Sequence, residues 1–216
     1  MINNEFSITG LFKGVAQILP NGQHSGIRKT PSDQLTFSLT HVLDDEVVDQ
    51  NHHGGDMRVL HHYSELNYNK LKERFPEIAH LFVPGSFGEN ICTPELTESD
   101  LCIGDIFTLG TTKIQLTVPR RPCVTINATY EDDRILKEII STGHVGWFYK
   151  IISPGTVSLK DKLKLIERPY PELLISKLFK QGYHEVPKFA DIPFLKACLQ
   201  TNLLDKGWKP KLENLF

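Results

Sequence analysis

Two prolines and two arginines surround one of the four cysteines, in the run Pro119-Arg120-Arg121-Pro122-Cys123. Neighbouring positive charge favours the thiolate, the form of a cysteine that attacks carbon or binds a metal. The fixed φ of each proline limits how far the sulfur can wander. Arg120 and Arg121 follow a strand-like run ending at Val118, where their planar forks suit a phosphate or another oxyanion. The same residues also describe a buried structural cysteine in a proline-rich loop, because free cysteine is among the most buried residue types. From these residues alone both readings of Cys123 stand.

Three further stretches carry polar chemistry. Asn51-His52-His53-Gly54-Gly55-Asp56-Met57-Arg58, followed by His61-His62, joins two glycines that let backbone approach a ligand to a cation at Arg58. Four histidines so close together invite a zinc site. However, adjacent histidines in extended chain face opposite ways, and neither an HExxH pattern nor a cysteine partner spacing accompanies them. Solvated loop histidines are the plainer expectation. Gly85-Ser86-Phe87-Gly88-Glu89-Asn90 reads as a turn entering a strand at Ile91-Cys92, or as a ligand loop offering a carboxylate and an amide. It lacks the Lys-Ser/Thr ending of a phosphate loop. Ser25-Gly26-Ile27-Arg28-Lys29-Thr30 fits an anion-contacting turn or an exposed basic loop equally well.

The elements that must position these groups are mostly strands. Leu35, Phe37 and Leu39 alternate with polar residues, as do Ile114, Leu116 and Val118; Trp147, Tyr149 and Ile151 form a third such run, and Leu163 with Leu165 a fourth. Period-two alternation marks strands with one buried face, and many short strands predict a barrel or sandwich. Two helices interrupt them. One runs from Ser64 as N-cap to Phe75, stopped by Pro76, and the other from about Glu131 to Thr142, ending at Gly143. After Pro169-Tyr170-Pro171 the pattern turns helical. Leu173, Leu174, Leu178 and Phe179 precede Gly182, and Asp191 caps a stretch with Phe194, Leu195 and Cys198. The expected division is 1–169 and 170–216, the second part a set of three short helices too small for much stability alone.

Composition narrows the function classes. Charges of 24 Lys+Arg against 26 Asp+Glu give no global attraction to nucleic acid or an anionic membrane. No run approaches a membrane span and Met1-Ile2-Asn3-Asn4-Glu5 lacks the features of a signal peptide, so a soluble, cytoplasmic protein is expected. The cysteines show no CxxC spacing and are expected to be reduced.

Taken in order, SGIRK (25 to 29), HGGDMRVLHHY (53 to 63), FGENI (87 to 91), LTESDLCIGDIF (96 to 107), PRRPC (119 to 123) and TGHVGWFYKIISPGTV (142 to 157) resemble the MOSC-domain family, and within it the bacterial YiiM-like branch associated with resistance to hydroxylaminopurine. The resemblance spans about residues 6 to 168, and the tail is similar to the three-helix domain that follows in that branch. It implies a mainly β, barrel-like fold holding a molybdenum cofactor (molybdopterin), with Cys123 as the protein's sulfur ligand to molybdenum; Cys92, Cys102 and Cys198 fall outside the motif. It further implies two-electron reduction of N-hydroxylated compounds, such as hydroxylaminopurine, to amines. Electrons would come from a separate reductase, since the chain has neither a GxGxxG fingerprint nor a cysteine set for an iron–sulfur cluster. Under this resemblance Lys29, Arg58, Arg120 and Arg121 neutralise the pterin phosphate, while His53, Glu89 and Asn90 hydrogen-bond the pterin. A homodimer is compatible with it. One departure stands out: where relatives show Gly-Asp-x-Gln, this chain has Asp44-Asp45-Glu46-Val47, so Asp45 is left to fill the aspartate's role. Two other functions share these residues: a carrier holding a persulfide or the cofactor on Cys123 for delivery, and a non-catalytic interaction module.

Overall fold

The computed structural model describes residues 4–51 and 53–215. Among them, nine strands form one sheet in the order Glu5–Ser7, Lys162–Glu167, Ile106–Leu109, Thr112–Pro119, Trp147–Ser153, Leu60–Ser64, Ile91–Thr93, Gly10–Lys13 and Thr30–Pro31. Every pairing in it is antiparallel except that of Leu60–Ser64 with Ile91–Thr93. The protein is mainly β with helices, as its alternation implies. The order has two ends, so this sheet does not close into a complete barrel.

Alternation locates the centre of the sheet correctly. Ile114, Leu116, Val118, Trp147 and Tyr149 are fully buried, each removing apolar surface worth roughly 1.5 to 3 kcal/mol. Leu116 pairs with Tyr149, which pairs in turn with Leu60, so three strands share one buried row. The run at Leu35 is shorter than its pattern. The strand is Gln34–Phe37, and Ser38 then closes a turn in which its amide and hydroxyl bond to His41, leaving Leu39 about half exposed.

The helix Glu65–Arg74 is capped by Ser64, whose hydroxyl accepts the Leu66 amide at 3.3 Å, and it buries Tyr68 and Leu71. The helix expected from Glu131 begins later, at Arg134, because Glu131 adopts a left-handed conformation with φ 54° that ends the preceding helix, Thr125–Tyr130. That preceding helix has only six residues and no apolar period long enough to betray it.

Residues 170–216 form the helices Ile175–Tyr183, Ile192–Gln200 and Trp208–Glu213. The first continues through Gly182 to Tyr183. Leu178, Phe179, Leu195, Trp208 and Leu212 belong to the same hydrophobic cluster as the sheet. Backbone bonds tie the segment down at Ile103 to Leu173 (2.8 Å) and Ile175 to Leu101 (3.0 Å), and the Trp208 indole donates to the Pro119 carbonyl at 2.7 Å. A buried ion pair, Arg58 with Asp205, completes the attachment.

Burial alone would raise the Asp205 pKa; the Arg58 guanidinium and the amides of Trp208 and Gly207 outweigh it and hold the carboxyl below its usual range. A depressed carboxylate adds stability above its unfolded pKa of about 3.9, and the contribution is lost as pH falls through the lower folded value. Asp205→Ala should therefore lower unfolding free energy by about 3 to 5 kcal/mol at pH 7, the cost of stranding a buried charge. Denaturant titrations of both proteins should show that difference shrinking once the pH drops below about 4.

Candidate functional site

Strand Thr112–Pro119 delivers the cysteine loop to a cavity of about 510 Å³, within the usual size of a small-molecule site. Opposite Trp147–Ser153, Leu116 pairs with Tyr149 and Pro119 with Trp147, so three steps on one strand match two on the other. Such a bulge re-aims the side chains that follow. The Thr117 hydroxyl stabilises it, lying 2.6 Å from the Met57 carbonyl and 3.0 Å from that of Phe148. Beyond the bulge the Arg120 amide donates to the Gly146 carbonyl at 2.9 Å, and Cys123 leads into the helix Thr125–Tyr130.

The Cys123 thiol is partly exposed in the cavity wall, with Thr125 Oγ1 3.4 Å from its sulfur. The imidazole of His53 beside it draws the thiol pKa down to about 6, against partial burial and with help from Thr125. The other cysteines behave oppositely. Burial pushes Cys102 up to about 11 and Cys198 up to about 12, and raises Cys92, whose sulfur donates to the Tyr63 carbonyl at 3.1 Å.

Four expected cations reach this cavity, in two different states. Lys29 is buried in a pair with Asp45, and Arg58 is paired with Asp205. Arg120 and Arg121 diverge. Arg120 Nη1 donates to the Phe87 carbonyl at 2.9 Å, Arg121 Nη1 donates to that of Gly207 at 3.2 Å, and neither is matched to a carboxylate among the described residues. Among the described residues the buried Arg121 Nε has no partner. Burial lowers the Arg120 pKa, and the neighbouring Cys123 opposes that shift.

The expected pterin-binding groups separate. His53 and Asn90 line the cavity, but the Asn90 amide is engaged on both sides, accepting from the His61 amide at 3.0 Å and donating to Asp45 at 2.9 Å. Glu89 is not in the cavity wall. Its carboxylate accepts from the Gly85 amide (2.6 Å), the Tyr68 hydroxyl (2.7 Å) and the Phe87 amide (3.2 Å), so its direct role is to fix the Gly85–Asn90 turn. That turn needs positive φ at Gly85 (95°) and Gly88 (79°), which a glycine adopts without strain. Burial raises the Glu89 pKa although these donors oppose it.

Asp45 lines the cavity, bonded to Lys29, Asn90 and the Gly14 amide. Gly26 lets its loop approach, because a Cβ there would lie 2.2 Å from the Glu46 carbonyl oxygen.

The histidine stretch divides, with His53 exposed in a turn as a solvated loop would have it and the later pair not. His61 and His62 are buried in strand Leu60–Ser64, while His52 lies outside the described residues. His62 is fixed between the Tyr149 hydroxyl (3.1 Å) and Thr93 (2.9 Å), and burial takes its pKa down to about 3. His61 is held neutral by burial and by Arg120, and its buried Nε2 has no partner at the cavity. Among the described residues no group of His, Cys, Asp and Glu is arranged to hold a metal ion by itself. Sequence reasoning passed over His61, Thr125, Phe148 and Tyr183 as site residues; the positions of His61 inside HGGDMRVLHHY and of Phe148 inside TGHVGWFYKIISPGTV could have pointed to two of them. No described helix is long and apolar enough to cross a membrane.

Comparison with known proteins identifies the family. The MOSC domain model matches residues 49–164, a span containing the cysteine loop and the HGGDMR stretch. Protein YiiM of Escherichia coli K12 is 39% identical over 159 residues, covering 73% of this chain and 71% of that protein. A protein of Gibberella moniliformis named reductase is 35% identical over 150 residues, which cover 68% of this chain and 27% of that one. The crystal structure of E. coli YiiM superposes with a TM-score of 0.79 at 29% identity, over 97% of this chain and 91% of that one. The chain belongs to the MOSC-domain family.

Proposed function

We propose that this protein is a molybdenum-cofactor-dependent reductase that converts N-hydroxylated compounds to amines with electrons from a separate reductase protein. The observation that carries this reading is a low-pKa thiol sharing one cavity with two guanidinium groups that form no ion pair with a carboxylate among the described residues. The donor set fits the cofactor on its own chemistry. A thiolate is a soft donor suited to such a metal, and the buried, unpartnered Arg121 Nε and His61 Nε2 are polar atoms that call for a polar, hydrogen-bonding occupant. Similarity to YiiM and to a fungal protein named reductase supports the same class of activity.

In this reading Cys123 supplies the sulfur ligand, with His53 keeping it deprotonated. Arg120 and Arg121 hold the pterin phosphate. Lys29 and Arg58, already paired, shape the wall and add little net charge. The cofactor, when bound, supplies the two-electron chemistry that reduces an N–O bond. The overall conversion takes up two electrons and two protons and releases an amine and water. Phe148 and Val124 give the cavity an apolar wall against which a flat ring can lie.

Three outcomes test the reading. In cofactor-free protein, Cys123 alkylation by iodoacetamide should rise with pH to a midpoint near 6, since only the thiolate reacts, while Cys102 and Cys198 stay inert to pH 9. His53→Ala should move that midpoint up toward the ordinary cysteine value of about 8.5.

Protein purified from cells able to make the cofactor should contain molybdenum and pterin and reduce hydroxylaminopurine with an artificial reductant. Cys123→Ser should abolish turnover and keep the fold, whereas Ser at Cys92, Cys102 or Cys198 should leave turnover largely intact. Wild-type turnover by Cys123→Ser at equal molybdenum loading would falsify the assignment. A loaded wild-type protein that never turns over would instead favour the carrier function.

Arg120→Ala and Arg121→Ala should each weaken cofactor retention through dialysis by about 1.5 to 3 kcal/mol, the worth of a charge-assisted hydrogen bond. Full retention by both would remove the arginines from the phosphate site.

A further inference from the structure

The helix Ile175–Tyr183 ends at the cavity, and Tyr183 lines it. Its ring is fixed by contacts within this chain. Phe179 stacks on it with centroids 4.6 Å apart and planes 12° from parallel, and Lys211 Nζ stands 4.3 Å from the ring centroid. Trp208 closes one edge at 5.9 Å. With its ring spent on these contacts, the phenolic end is the polar group Tyr183 can offer to whatever enters.

That end is polar and unused. Buried tyrosines elsewhere spend their hydroxyls inside the protein: Tyr63 on the His144 carbonyl, Tyr68 on Glu89, Tyr130 on Ser86 and Tyr149 on His62. Among the described residues the Tyr183 hydroxyl has no such partner. The charged groups that act on it are Arg121, Asp205 and Arg58, two of them in the cavity wall and the third holding one of those two. Burial raises its pKa, so at neutral pH it is an O–H donor. Its placement is secured by the Trp208 bond to Pro119, the Arg121 bond to Gly207 and the Arg58–Asp205 pair.

We propose that Tyr183 is a substrate-contacting residue brought by the helical segment, donating a hydrogen bond from its hydroxyl to the N-hydroxyl oxygen of a heteroaromatic ligand in the cavity. The apolar wall at Phe148 and Val124 takes the ring, and Tyr183 reads the oxygen that distinguishes substrate from amine product. The helical segment is then part of the site. This inference rests on the reductase reading for its ligand class.

Equilibrium dialysis of the full-length, cofactor-loaded protein without reductant tests it, with 6-N-hydroxylaminopurine and its amine counterpart, adenine, as probes. Tyr183→Phe keeps the ring and its packing and removes only the oxygen. The expected result is a Kd for the hydroxylamino ligand raised about five- to tenfold, with that for adenine unchanged within about twofold, as loss of one neutral hydrogen bond requires. Wild-type affinities for both ligands in Tyr183→Phe would overturn the proposal, as would equal losses for both. A wild-type protein that binds the two alike, or binds neither, would also overturn it. If Tyr183→Phe shows the selective loss but the wild type never reduces the ligand, the reductase reading fails and the contact stands. If turnover is intact and selectivity is unchanged, the reverse holds.

Discussion

Positive charge brought into a protein wall without a carboxylate to answer it constrains everything around it. Arg120 and Arg121 are held by the carbonyls of Phe87 and Gly207, which satisfy individual N–H groups without forming an ion pair; for Arg120, Cys123 and Glu89 offset only part of the cost of burial. Desolvating such a group costs several kcal/mol. The bulged strand, the Gly85–Asn90 turn and the helical segment must together hold the two guanidinium groups against that cost. An anion entering the cavity would relieve it; the Cys123 thiol beside them owes its easy ionisation chiefly to His53.

The other cations show how differently the same residue types are used a few ångströms away. Lys29 and Arg58 each carry a buried carboxylate partner, so the field they add to the cavity is small. Their work is architectural. Lys29–Asp45 joins the first glycine loop to Asn90, and Arg58–Asp205 joins the turn after Gly55 to the tail. Glu89 belongs with them, a buried carboxylate spent on two amides and a phenol so that the loop above it keeps its shape.

The helical segment is bound into this arrangement at several points, and its own apolar face merges with the core of the sheet. Because the Gly207 carbonyl accepts from Arg121 and the Trp208 indole donates to the carbonyl that precedes the arginine pair, displacement of the segment would disturb the cysteine loop directly. A segment too small to be stable alone thereby gains stability from the site and lends the site its rigidity.

Much of this was legible in the sequence. Alternation at Ile114 to Val118 and at Trp147 to Ile151 located the two central strands, since a buried face imposes a period of two wherever a strand is half covered. Local charge and proline restraint singled out Cys123 among four cysteines, because both act within a few residues along the chain. Family motifs carried the MOSC assignment. What no local pattern could express was pairing across the chain: that Lys29 meets Asp45, that Arg58 meets Asp205 from 147 residues away, and that Glu89 turns inward while Asn90 spends both ends of its amide. The sequence determined which residues were able to ionise, bind or pack; tertiary structure decided which cations are paired and which hydroxyl has no partner among the described residues, because a charge or a polar atom takes its state from the groups that surround it in space.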